Sequence, residues 1–286
     1  MTARWKLPAR PRAVVTGAAS GLGRALALRL AERRARLVLG DIDEEGLDRT
    51  AAAVREAGGQ VRTLRCDVRE AAQVEALART ADEEFGATDL LVNNAGVAVV
   101  GPVGEVSLED WRWQVDINLW GVVHGCHAFV PGMKARRAGH ILNVASSAGL
   151  VCAPMMAPYN VTKAGVIALS ETLYGELRGE GIGVSVLCPT FLRTNIHASS
   201  RYSNAELRDL TGRLVSGATW TAEQVADHTL ACMERGDLFI IPQRDGRALW
   251  WGRRVLGAEF QRWMGGLARS PRLLRWISER VGTGAG

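Results

Sequence analysis

Tyr159 and Lys163 stand four residues apart in Tyr159-Asn160-Val161-Thr162-Lys163, a spacing that on a helix projects both side chains from one face. Ser146 lies thirteen residues before Tyr159, just past an apolar run that ends at Val144. A free tyrosine has a pKa near 10, and bringing it to about 7 takes roughly 4 kcal/mol of preference for the phenolate. One ammonium about 4 Å away supplies energy of that order at an effective dielectric of about 20. Lys163 is therefore expected to lower the Tyr159 pKa and turn the phenol into an acid–base group, with Ser146 within reach of the same oxygen. Taken alone, a Tyr–Lys pair at this spacing is also what a helix surface carries by chance.

A second cluster can hold a phosphate. Thr16-Gly17-Ala18-Ala19-Ser20-Gly21-Leu22-Gly23 follows the first apolar run and opens a helical pattern from Arg24. A helix N-terminus that receives an anion needs residues without Cβ atoms in the turn before it, so that the backbone can approach closely and adopt positive φ. Asp41 ends the next apolar run, roughly twenty residues on, where a carboxylate can accept hydrogen bonds from an adenosine ribose. A 2′-phosphate would meet that carboxylate with a repulsion of about 4 kcal/mol at 4 Å, so NAD is expected over NADP unless Arg24 compensates. The other use of Asp41 is to open the turn Asp41-Ile42-Asp43-Glu44.

The elements that must position these groups follow from the apolar pattern. Strands are expected at Ala13–Thr16, Arg36–Leu39, Gln60–Arg65, Asp89–Asn93, His140–Val144, Gly183–Leu187 and Leu238–Ile241. Helices are expected between them at Gly23–Arg34, Glu44–Ala57, Ala71–Glu84, Leu108–Phe129 and Thr221–Arg235, the last with Thr221 as N-cap. Repeated β-α-β units predict an α/β fold, a single Rossmann-type doubly wound parallel sheet with helices on both faces. Residues 190–217 read as a polar, mobile substrate lid. Residues 1–243 are expected to form the catalytic domain and 244–286 a helical extension.

In chain order the glycine turn, Asp41, Cys66-Asp67-Val68, Asn93-Asn94-Ala95-Gly96, Asn118, Ser146, Tyr159 and Lys163 together resemble the short-chain dehydrogenase/reductase family over about residues 10–242. That resemblance implies that Tyr159 exchanges a proton with the substrate oxygen and that Ser146 holds that oxygen. It implies that Lys163 lowers the tyrosine pKa and binds the nicotinamide ribose, and that Asn118 anchors a water leading to solvent. It further implies cofactor contacts from Gly17, Ser20, Gly21, Leu22, Gly23, Asp67, Val68, Asn94, Ala95, Gly96, Pro189 and Thr194. The usual Pro-Gly after the sixth strand is Pro189-Thr190 here, which leaves the carry-over for 190–194 open. The activity implied is hydride transfer between NAD(H) and a secondary alcohol or ketone. Met155, Met156, Phe191, Leu192 and Tyr202 lie where the cleft would be lined, which points to a lipophilic substrate, although the same residues could pack the lid. The alternative is a non-catalytic dinucleotide-binding sensor or scaffold on the same fold.

Composition bounds the rest. The 286 residues are 47% hydrophobic and 23% charged, which excludes collagen-like and largely disordered chains. Five scattered cysteines without a CxxC pair argue against a disulfide framework or a metal site, and fit a reducing cytoplasm. The basic N-terminus lacks the apolar segment of a secretory signal. The net charge of +5 is concentrated at the end: Arg244 to Arg280 carries nine arginines against three acids, and four of the nine tryptophans. No nucleic-acid recognition motif accompanies it. One helix over Arg247–Met264, with Leu249, Leu256, Phe260 and Trp263 on one face, and a second from Ser270 with Pro271 in its first turn, fit either subunit packing, in a homodimer or homotetramer, or peripheral contact with a membrane.

Overall fold

Successive residues of each central strand face opposite ways, and each way meets a layer of helices. The computed structural model describes residues 6–193 and 195–268. In β1 (Arg12–Thr16), Val15 packs toward α1 (Gly21–Ala31), α2 (Glu44–Glu56) and α9 (Ala222–Arg235). Val14 packs toward α3 (Ala71–Phe85), α5 (Gly121–Arg136) and α7 (Ala157–Leu177). The same alternation sends Leu37 and Leu39 of β2 (Arg36–Asp41) to the first layer and Val38 to the second. This two-sided burial explains why the strands read as unbroken apolar runs.

The remaining strands of the main sheet are β3 (Gln60–Arg65), β4 (Leu90–Asn93), β6 (Gly139–Val144), β7 (Ile182–Leu187) and β9 (Phe239–Ile240). All seven pair in parallel in the order β3-β2-β1-β4-β6-β7-β9. The direction of winding reverses between β1 and β4, and the crevice at the carboxyl ends of such a pair is where this architecture receives ligands. Ser146, Asn94, Gly17 and Asp41 all lie at those carboxyl ends.

Two expectations need correction, and a third is made more definite. The pattern over Leu108–Phe129 is not one helix: α4 (Leu108–Val115) and α5 flank a π-turn at Asp116–Trp120, whose wider hydrogen bonding leaves the apolar spacing nearly unchanged. The segment 190–217, polar enough for a loop or short-helix excursion, is both. It contains β8 (Arg201–Tyr202), paired in parallel with β5 (Val99–Val100), and α8 (Ala205–Ser216), capped by Asn204 through a 2.9 Å bond to the Leu207 N–H. Arg201 pairs with Asp110 at 2.6 Å and stacks over the Trp113 ring at 4.0 Å, fastening this segment to α4.

The C-terminal helix is also divided. Gly257 (φ 54°, ψ −124°) separates α10 (Arg244–Leu256) from α11 (Ala258–Ala268) and rotates the proposed apolar face. Phe260 enters the second core layer, and Leu249, Trp250 and Met264 pack against it, whereas Leu256 and Trp263 are exposed together with Trp251 and Val255. The helix expected from Ser270 lies outside the described residues. Among the described residues no helix is long and apolar enough to cross a membrane, and no group of three or more His, Cys, Asp or Glu is placed to hold a metal ion.

Candidate active site

The glycine turn is shaped by contact with the end of β4. Gly17 has φ of +66°, and a Cβ there would lie 2.7 Å from Ala95 Cα; one at Gly23 would lie 2.1 Å from the Gly17 carbonyl oxygen. Asn94 locks the turn, its amide donating to the carbonyls of Thr16 at 3.0 Å and Gly17 at 2.9 Å. The Thr16 hydroxyl accepts the N–H groups of Asn94 at 3.1 Å and Ala95 at 3.2 Å. Thr16 was not singled out as a site residue; its place immediately before Gly17 was the available signal. Ser20 is the N-cap of α1 without a side-chain cap bond, and the first turn of α1 holds no acidic residue. Gly21 also has positive φ, at 53°, and Leu22 is buried beneath the turn. A phosphate-bearing ligand fits here, because the first amides of α1 lack a side-chain cap and the turn has no room for added side chains.

Asp41 does two things. One carboxylate oxygen accepts the Ala19 N–H of the glycine turn at 3.0 Å, and the other accepts the Asp43 N–H at 3.1 Å. Each oxygen retains a second lone pair for a ribose hydroxyl. Asp67 is held by Arg69, 2.5 Å away, which keeps its carboxyl below the ordinary range. Val68 is buried and lies against Gly121 at the start of α5.

Across the crevice, Ser146 follows β6 and caps α6 (Ser147–Val151), its hydroxyl oxygen accepting the Ala148 N–H at 3.1 Å. Tyr159 and Lys163 sit in the first turns of α7, with the Ser146 hydroxyl placed to favour the Tyr159 phenolate. Lys163 Nζ donates to the Val144 carbonyl at 2.8 Å and lies 5.7 Å from the centroid of the Tyr159 ring. Gly96 runs beside Lys163 Nζ and the Asn118 amide oxygen. Asn118, fully buried in the π-turn, pairs with both main-chain groups of Val97 at 2.8 Å. Ser146, Tyr159, Lys163 and Asn118 thus converge at one end of β6. Thr194 lies outside the described residues.

Electrostatically one expectation is reversed. Burial pushes the Tyr159 phenol above its ordinary value, with only the Ser146 hydroxyl pulling it down. Lys163 is itself pushed down to about 8, because burial penalises the ammonium more than the nearby Cys188 thiol supports it. The ammonium rests farther from the Tyr159 ring than the contact of about 4 Å expected from spacing alone, and the phenol stays above its ordinary value. His140, which burial pushes down to about 3, sits at the opposite end of β6, its Nε2 3.0 Å from the Ser185 hydroxyl. It is part of the packing there.

Of the residues expected to line the cleft, Met155 and Phe191 are exposed, whereas Leu192 belongs to the core. The Tyr202 hydroxyl is 2.6 Å from His197 Nδ1.

Residues 11–205 match the short chain dehydrogenase family. The chain belongs to that family. It is 40% identical over 184 residues to a D-threitol dehydrogenase from Mycolicibacterium smegmatis, covering 64% of this chain and 71% of that protein. It is 42% identical over 182 residues to a 1-deoxy-11-beta-hydroxypentalenate dehydrogenase from Streptomyces exfoliatus, covering 62% and 66%. A short-chain dehydrogenase/reductase from Burkholderia phymatum, crystallised with NAD, superposes with a TM-score of 0.83 at 37% identity over 91% of this chain and 96% of that one. This short-chain dehydrogenase is therefore an oxidoreductase of a family that uses a nicotinamide dinucleotide.

Proposed function

We propose that this short-chain dehydrogenase interconverts a secondary alcohol and its ketone, with NAD(H) as the hydride carrier. The observation that carries the reading is the convergence of Ser146, Tyr159 and Lys163 at the carboxyl end of β6, opposite the glycine turn. Gly17, Ser20, Gly21, Leu22 and Gly23 hold the pyrophosphate, Asp41 the adenosine ribose, Asp67 and Val68 the adenine. Asn94, Ala95, Gly96 and Pro189 line the cleft toward the nicotinamide. When bound, the nicotinamide gives or accepts the hydride.

The chain's own residues manage the proton. Ser146 donates to the substrate oxygen and fixes its place beside the phenol. Tyr159 takes the hydroxyl proton in oxidation and returns it in reduction. The Lys163 ammonium stabilises the phenolate against the cost of burial and holds the nicotinamide ribose. The Asn118 carbonyl, in the widened π-turn, anchors the water through which Lys163 meets solvent. The exposed Met155 and Phe191 favour a lipophilic substrate. We place the enzyme in the cytoplasm, as a homodimer or homotetramer.

The decisive experiment is initial-rate kinetics of the purified enzyme over a panel of secondary alcohols and ketones, with NAD and NADP in parallel. NAD is expected to give the higher kcat/KM, and Asp41→Ala to shift the ratio toward NADP. An initial preference for NADP would mean that Arg24 outweighs Asp41. Dinucleotide binding without turnover across the panel would leave the sensor reading standing.

A further inference from the structure

The family match ends at residue 205, yet side chains from beyond β9 reach back to the two backbone segments that aim Ser146. On one side is α6, a single turn whose last carbonyls have no partner within the helix. The Arg253 guanidinium of α10 donates to the Leu150 carbonyl, and the Gln261 amide of α11 donates to the Val151 carbonyl at 2.9 Å. On the other side is Pro189, whose carbonyl accepts the Ser147 N–H at 2.9 Å and lies 3.4 Å from the Ser146 hydroxyl. The next residue, Thr190, donates its N–H to the Gln243 side chain at 3.1 Å, and Gln243 is the buried N-cap of α10. The Thr190 methyl rests on Gly246, where a Cβ would come within 2.9 Å of it. The side chain at this position is therefore a docking point for α10.

Leu150 and Val151 anchor α6 in the second core layer, and side-chain hydrogen bonds hold its far end. Toward α7 it is wedged, since a Cβ on Gly149 would lie 2.6 Å from the Lys163 backbone. Toward α10 there is a cavity of about 300 Å³, bordered by Gly149, Leu150, Ile167, Phe239, Trp250 and Arg253. Beyond α6, Cys152 and Met155 both have positive φ, at 54° and 66°, conformations that persist only where the surroundings impose them. With unfilled space on one side and strained backbone beyond, the hydrogen bonds from Arg253 and Gln261 set where the far end of this turn rests.

We propose that α10 and α11 form a clamp that positions Ser146 against Tyr159, with Arg253, Gln261 and Gln243 as its positioning residues. The inference rests on Ser146 holding the substrate oxygen. Loss of the clamp lets Ser146 drift from that oxygen, and a displacement on the order of 1 Å costs up to about a hundredfold in rate. The glycine turn lies across the crevice and is not touched by these residues.

The test uses the full-length enzyme carrying Arg253→Leu, Gln261→Leu and both together, with Arg253→Lys as the conservative variant. The double variant is expected to lose about ten- to a hundredfold in kcat, with NAD affinity by fluorescence titration unchanged within about twofold and Arg253→Lys recovering part of the rate. In a Ser146→Ala background the same substitutions should cost less than about threefold further, because the group they position is gone. A loss that multiplies fully in that background, or a parallel fall in NAD affinity, would overturn the clamp and leave only general stabilisation of the fold. Normal turnover of Ser146→Ala alone removes the role of Ser146 itself and is distinguishable from either. If Arg253→Leu does not fold, Gln261→Leu, whose side chain is exposed, supports the same comparison.

Discussion

The two walls of the crevice are held in different ways. On the glycine-turn wall, Asn94 and Thr16 bond to main-chain atoms of neighbouring strand ends, and close backbone approach leaves no room for another residue at Gly17 or Gly23. On the Ser146 wall, the last turn before Tyr159 is secured by side chains that arrive from about a hundred residues later, Arg253 and Gln261. A wall built on close backbone approach fails on any change of shape at its glycines. A wall held by long side chains can be loosened one hydrogen bond at a time, with graded effects on rate.

The sharpest way to separate the walls is to remove the chemistry from one and the shape from the other. Tyr159→Phe keeps the ring and is expected to fold and bind NAD, yet to lose at least about a hundredfold in turnover, the lower range for a general acid–base group. Single-turnover and binding measurements on the same preparation check both halves; near-normal turnover removes Tyr159 from the mechanism. Gly23→Ala is expected to do the reverse. Its Cβ would collide with the Gly17 carbonyl at 2.1 Å, so the turn must shift, with about 1–3 kcal/mol lost from the fold and about tenfold or more from NAD affinity. Thermal unfolding and fluorescence titration read the two losses; unchanged affinity would mean the turn does not grip the pyrophosphate.

That contrast also explains what the sequence could show. Backbone-built features leave local signatures: the Gly17–Gly23 turn, Asn94 after β4, and Thr221 before α9, where the capping box with Gln224 is present. All seven sheet strands lie within a residue or two of their expected ends, because in every strand but the edge strand β3 burial on both faces demands an apolar run. The hidden features are of two kinds. Two-residue strands such as β5 and β8, and the π-turn around Asn118, are too short to carry a periodicity. Long-range side-chain contacts, such as Arg201 with Asp110 or Arg253 with Leu150, have no spacing to read. The direction of the Tyr159 shift is hidden for a third reason: four residues of helix fix which face a side chain is on, but not how deeply it is buried or where its ammonium neighbour comes to rest.

A graded, pH-dependent effect is expected where the walls meet at Lys163. Its folded pKa is about 8 against an ordinary 10.5, so the ammonium is present below about pH 8 and is lost as pH rises through it. Affinity for NAD should therefore weaken above about pH 8, by at most about tenfold per pH unit, and Lys163→Arg should remove the step because a guanidinium stays charged. The sign for stability is opposite: between about 8 and 10.5 the unfolded chain holds a proton that the folded one has released, so this group adds stability as pH rises across that window. A pH series of fluorescence titrations and of denaturant midpoints checks both directions, and an affinity that is flat to pH 10 would show that Lys163 does not hold the ribose through its charge.

The smallest catalytic effect is expected on the outer side of the clamp. The inner side of α10 and α11 buries Phe260 and reaches α6, but Trp251 and Val255, four apart on α10, are 59% and 78% exposed, with Arg254 beside them stacked on Trp250 at 4.7 Å. The sequence that follows adds Arg269, Arg272, Arg275 and Arg280. An anionic lipid surface would suit both the tryptophan and the charge, and contact with one is the expected outcome. Trp251→Ser with Val255→Ser should leave turnover on soluble substrates within about twofold, since neither side chain touches the crevice, while reducing cosedimentation with phosphatidylglycerol vesicles at low salt several-fold. Added salt should weaken the wild-type binding, as the contact is partly between exposed charges. If the double variant instead changes oligomeric mass and the wild type does not sediment with vesicles, the stripe belongs to a contact between copies of the chain. If turnover falls as far as it does in Arg253→Leu, the outer side is not separable from the clamp, and α10 acts on Ser146 as a whole helix rather than through its inward hydrogen bonds.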